Sequence, residues 1–128
     1  MEYYFKKTLK TNIVDVRKKL TEELKNEGFG IISEISLHEK FKEKLNIDRK
    51  PYFILGACNP QFAHNALGLD EYVGLLLPCN IVLFENEDES TEIAVINAVS
   101  MMNVTGNKEI ESIAESVNKH LLSAFSAL

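Results

Sequence analysis

Cysteine is scarce in this sequence, with two in 128 residues. A domain of this length buries roughly two thirds of the surface its unfolded chain exposes, so it needs neither a disulfide nor a metal merely to fold. The opening stretch Met1-Glu2-Tyr3-Tyr4-Phe5-Lys6-Lys7 has no apolar core of signal-peptide length. Without an export signal both cysteines are expected as thiols, in a cytoplasmic protein. Long apolar runs are also missing. The longest, around residues 73–84, is interrupted by Gly74, Pro78 and Asn80 and is too short to cross a bilayer. No lipidation motif stands in for a span, so no membrane partner is expected. Positive charge is short as well: 14 Lys and Arg stand against 19 Asp and Glu, for a net charge of −5. Basic side chains must replace phosphate counterions on nucleic acid, so that partner class is not expected either. The local basic runs, Arg17-Lys18-Lys19 and residues 40–50, lie among acids and read as solvated helix faces. Phosphate loops, nucleotide fingerprints, G-x-S-x-G and H-E-x-x-H are all absent. Glu39, Asp70 and Glu71 are not spaced as an acid–base pair. No catalytic residue can be assigned, and any enzyme chemistry would have to be thiol-based.

What is present is a punctuated series of secondary elements in one domain, 45% hydrophobic and 26% charged. Residues 3–9 read as a strand. Asn12 then caps a helix carrying Ile13, Val16, Leu20 and Leu24 at helical spacing, which stops at Gly28 with Leu24 and Phe29 placed for a Schellman contact. Residues 30–35 form a second strand. Ser36 and Glu39 have capping-box spacing at the start of a short helix with Leu37, Phe41 and Leu45 on one face, and Pro51 bars its continuation. Residues 52–57 are a buried strand, and Asn59-Pro60 starts a helix that ends at Gly68. Residues 75–84 hold one or two strands divided near Pro78. They form a hairpin with residues 91–99 across the acidic turn 85–90. Asn107 caps a last helix with Ile110, Ile113, Ala114, Val117, Leu121 and Phe125 on one stripe. The order β-α-β-α-β-α-β-β-α predicts an α+β fold, a mostly antiparallel sheet with helices packed on one face.

Several stretches together resemble one known family: Glu27-Gly28-Phe29-Gly30, Phe41-Lys42-Glu43-Lys44-Leu45, Tyr52-Phe53-Ile54-Leu55-Gly56-Ala57-Cys58-Asn59-Pro60, Ala63-His64-Asn65-Ala66-Leu67 and Gly74-Leu75-Leu76-Leu77-Pro78-Cys79-Asn80-Ile81. The chain resembles the uncharacterised prokaryotic family catalogued as domain of unknown function 302, nearly end to end. The resemblance implies an antiparallel sheet in a TATA-binding-protein-like arrangement and brings no established reaction; a fold of that kind does not carry DNA binding with it. The chain departs from the family pattern at Ser36 and Asn97, where members often have aspartate.

Chemistry concentrates around Cys58-Asn59-Pro60 and Pro78-Cys79-Asn80. A thiol at a helix N-terminus can have a lowered pKa, and His64 lies one turn into the helix that Cys58 introduces. Cys58, His64 and Cys79 would suit zinc or copper if they converged. Their spacing matches no standard zinc motif, and cysteine packs as readily as a small hydrophobe. Met101-Met102 could add thioethers but fit the core as well. Asn59 and Asn80 have local work in capping and turning. Three readings follow: a small ligand-binding or accessory module using Cys58, Asn59, His64, Cys79 and Asn80; a soft-metal or thiol-redox protein; and a homodimeric interaction module.

Overall fold

The computed structural model describes residues 2–128. Five strands, β1 (Tyr4–Leu9), β2 (Gly30–Ser36), β3 (Tyr52–Cys58), β4 (Cys79–Glu85) and β5 (Thr91–Ile96), form one sheet in the order β1-β5-β4-β3-β2. Every neighbouring pair is antiparallel. The helices are α1 (Ile13–Asn26), α2 (Leu37–Leu45), α3 (Pro60–Leu69), α4 (Ala98–Met102) and α5 (Lys108–Ser126).

The expected caps hold α1. The Asn12 side chain accepts from the Asp15 N–H at 3.0 Å. At the other end the Phe29 N–H donates to the Leu24 carbonyl at 2.8 Å and the Gly28 N–H to Lys25 at 3.0 Å. This Schellman pattern needs Gly28 at φ 82°, and it buries Leu24 against Phe29. Val16, Leu20 and Leu24 of α1 and Ile110, Ala114, Val117, Leu121 and Phe125 of α5 are buried, as their stripes require. They meet Leu55, Ala57, Ile81, Leu83, Ile93 and Val95 in one core, so α1, α3 and α5 cover one face of the sheet. Among the described residues no helix packs on the other face.

Four local expectations are corrected. Residues 71–76 form a 3₁₀ helix (Glu71–Leu76), so the strand does not begin at 75; Asp70 accepts from the Tyr72 N–H at 2.9 Å and caps this helix, and β4 starts only at Cys79, after Pro78. β5 ends at Ile96 rather than 99, because the Asn97 side chain accepts from the Val99 and Ser100 N–H groups and starts α4. Ser36 makes no side-chain cap, since its backbone is still paired in β2 with Phe53. Gly68 does not stop α3, which runs to Leu69.

Asn97 is buried. Besides capping α4 it accepts from Asn118 Nδ2 at 2.9 Å and donates its own amide to the Glu2 carbonyl at 3.2 Å. An aspartate at this position could not make that last bond. At the opposite edge, α2 buries none of its residues, and its stripe leaves Leu45 61% exposed.

Candidate functional site

The motif residues around the two cysteines turn out to be occupied mainly with packing. Asn59 accepts from the Gln61 and Phe62 N–H groups at 3.1 and 3.3 Å and so caps α3. Ala57 is fully buried. Gly56 lies opposite both Ser33 and Asn80 in the sheet. A Cβ there would meet Ser33 Oγ at 2.2 Å and Pro78 Cγ at 2.5 Å. The glycine is therefore what lets Pro78 lie across the sheet. Gly28 is similarly constrained: beyond its positive φ, a Cβ would come within 3.0 Å of Asn59 Nδ2.

Cys58 and Cys79 do come to one place. Both line an apolar cavity with Phe29, Phe62, Pro78 and Met102, but its volume is about 30 Å³, room for about one water. Burial pushes the Cys58 thiol up. Burial, followed by the neighbouring Cys58, pushes Cys79 up to about 11. The lowering expected at the α3 N-terminus is outweighed by desolvation of the charged form. His64 is exposed and lines a separate surface hollow with Asn65, Gly68, Glu109 and Ser112. The expected meeting of Cys58, Cys79 and His64 is not seen: His64 lines a hollow between α3 and α5, apart from the cavity that the two cysteines share. Among the described residues no three His, Cys, Asp or Glu side chains are grouped to hold a metal ion. Met102 is buried in the same apolar cavity.

A hollow walled by aromatic side chains lies on the uncovered sheet face. Three cross-strand rows build it. One row is Tyr52, Phe84, Glu92 and Thr8, in register across β3, β4, β5 and β1. The Tyr52 and Phe84 rings stack at 5.4 Å with 6° between their planes, and Arg49 lies over Tyr52 at 5.1 Å. The middle row is Ile54, Val82, Ala94 and Lys6. The third side holds Asn80, opposite Gly56, and Tyr4, opposite Ile96. Small side chains at Val82 and Ala94 make the floor, and the outer rows are walls about 13 Å apart at the backbone, four residues along a strand. The trough encloses about 400 Å³, within the range of small-molecule sites.

Among the described residues, the Asn80 amide and the Lys6 ammonium have no side-chain partner, and neither do the Tyr3, Tyr4 and Tyr52 hydroxyls. Asn80 is exposed, and its side chain makes no hydrogen bond among the described residues; Lys6 pairs with no acid among them. Glu92, by contrast, accepts from Thr8 Oγ1 at 2.6 Å and from Asn86 Nδ2 at 3.3 Å. Of the expected ligand residues only Asn80 lies here. Tyr4, Lys6, Tyr52, Val82, Phe84 and Ala94 were not anticipated. The available signal was alternation: with one sheet face covered, residues 52, 54, 82, 84, 94 and 96 should face water, yet all six are apolar or aromatic.

The family model described as domain of unknown function DUF302 matches residues 5–128. The crystal structure of an uncharacterized conserved protein DUF302 from Bacillus stearothermophilus is similar at a TM-score of 0.89 and 29% identity, covering 97% of this chain and 96% of that one. No curated protein matches the chain. No helix among the described residues is long and apolar enough to cross a membrane.

Proposed function

This chain belongs to the family described as domain of unknown function DUF302, and we propose that it is a small binding module whose ligand lies in the trough on the uncovered sheet face. The observation that carries this reading is the trough itself: about 400 Å³ floored by Val82 and Ala94, with the unpartnered Asn80 amide in its wall. Asparagine is disfavoured in strands, and here its exposed side chain makes no hydrogen bond among the described residues that would account for it. The site first expected, around Cys58 and Cys79, supports this function less well. Its cavity holds about one water, and both thiols are pushed toward the neutral form. That also weighs against the thiol-redox and soft-metal readings, which need a thiolate. The test is amide-resolved NMR titration with 2-naphthalenemethanol, a neutral bicyclic probe. Shifts should concentrate at Lys6, Asn80, Val82 and Ala94 and disappear in Ala94→Trp, which fills the floor. Shifts centred instead on Cys58 and Cys79, or undiminished in the variant, would defeat the proposal.

A second reading, a homodimer, is favoured by the opposite edge of the sheet. β2 is an end strand with no lysine or proline to blunt it, whereas β1 carries Lys6 and Lys7. β2 also leaves Ile32 64% exposed beside the unburied α2 stripe. An end strand can pair with its own copy about a two-fold axis. Sedimentation at tens of micromolar protein should give a dimer mass, and Ile32→Lys should reduce it to the monomer. A wild-type monomer would rule this reading out.

A further inference from the structure

Resting on the trough reading above, we infer that the ligand is a planar aromatic anion, with its charged group held by Lys6. The shape of the site sets the first half of this. Tyr52 and Phe84, stacked on each other within 6° of parallel, and Tyr4 put three aromatic rings around the trough. Edge-to-face and offset contacts with such rings suit any ring system and are poor for a branched aliphatic chain. The floor residues Val82 and Ala94 are small enough to let a ring descend between that pair and Tyr4.

Charge complementarity sets the second half. Two charged side chains line the trough, Lys6 and Glu92. They differ in what already satisfies them. Both bonds to Glu92 reach Oε1, from Thr8 and Asn86, and the latter belongs to the hairpin turn; they draw the carboxylate toward that end of the sheet. Lys6 sits one row further in, opposite Ala94, at the β1 end of the floor. No acid, carbonyl or ring holds its ammonium group among the described residues. It thus stands as a solvent-exposed cation with no protein partner among the described residues, at the end of an apolar, aromatic-lined channel on a chain whose net charge is −5. A carboxylate, sulfonate or phosphate attached directly to a ring system would reach it while the ring covers Ala94 and Val82. Asn80, on the facing wall, offers a donor and an acceptor to a heteroatom on the far side of the ring. A single lysine also argues against a nucleic-acid strand here, which would need a cation for each phosphate it passes.

The experiment compares naphthalene-2-carboxylate with 2-naphthalenemethanol by NMR titration against the wild type, Lys6→Gln and Lys6→Arg. A charge-assisted bond predicts that the carboxylate binds roughly tenfold or more tightly than the alcohol. Lys6→Gln should remove that advantage while leaving the alcohol's affinity within about twofold, and Lys6→Arg should restore most of it. If the alcohol binds in the trough but the carboxylate is no tighter, or keeps its advantage in Lys6→Gln, the anion inference falls and the trough reading stands. If neither probe moves the amides of the sheet face, both fall together.

Discussion

Replacing Gly56 with alanine should destabilise the protein, against the usual direction for that change in a strand. Alanine ordinarily gains about 0.5 to 1 kcal/mol over glycine in a regular element, because the unfolded chain has less freedom to lose. Here the new methyl would sit 2.2 Å from Ser33 Oγ and 2.5 Å from Pro78 Cγ. Both separations are far inside van der Waals contact. The two obstacles are not equivalent. Ser33 Oγ is the end of an exposed side chain and can rotate away. Pro78 Cγ belongs to a rigid ring, so relief there requires the backbone between residues 77 and 80 to move. Overpacking costs about 1 to 3 kcal/mol; against a rigid ring it falls in the upper part of that range, roughly 2 to 3 kcal/mol, which leaves a net loss of roughly 1 to 2.5 kcal/mol after the propensity gain. For a domain of this size that lowers the melting temperature by roughly 3 to 10 °C. Urea denaturation of the wild type, Gly56→Ala and Gly56→Ala with Ser33→Ala would measure it. The serine change should return only a minor part of the loss, and amide shifts should be largest at Cys79 and Asn80. A Gly56→Ala protein as stable as the wild type would refute the claim that the glycine exists to admit Pro78.

Stability should fall between about pH 9 and pH 11 through Cys79, whose thiol is raised from 9.0 to about 11. The unfolded thiol ionises first, so the contribution is complete below pH 9 and is lost as pH rises through the folded value. It amounts to about 2 to 3 kcal/mol, and Cys79→Ala, less stable at neutral pH, should show a correspondingly shallower decline in urea midpoint over that range. Asn97→Ala should cost about 2 kcal/mol or more by chemical denaturation, because it removes the α4 cap and strands Asn118. Asn97→Asp should cost less, keeping the acceptors and losing only the bond to the Glu2 carbonyl.

The elements themselves were legible because their signals are local. Asn12, Asn59 and Asn107 announce helix starts by accepting from N–H groups two or three residues on. The Gly28 stop is completed between residues 24 and 29. The buried stripes of α1 and α5 follow from helical periodicity, and the hairpin of β4 and β5 from two strands flanking a polar turn. Where the local pattern misled, a residue had competing hydrogen bonds to make. Asp70 and Asn97 cap helices where strands were expected, and Ser36 stays in the sheet instead of capping.

The placement of the site was a different matter. The sequence marks Cys58 and Cys79 as chemically interesting, and both do reach one cavity, but only the packed structure shows that cavity to be nearly filled and burial to push both thiols up. His64 is one helical turn from Cys58 in sequence yet faces another surface. The trough draws Lys6 from β1, Ala94 from β5, Asn80, Val82 and Phe84 from β4 and Tyr52 from β3. Those residues meet through the strand order β1-β5-β4-β3-β2, which brings the first strand beside the last. Cross-strand neighbours are set by which edges pair and in what register, a long-range choice made by burial of the whole core. A side chain's local sequence carries its face of the strand, and the tertiary fold alone decides what lies across from it.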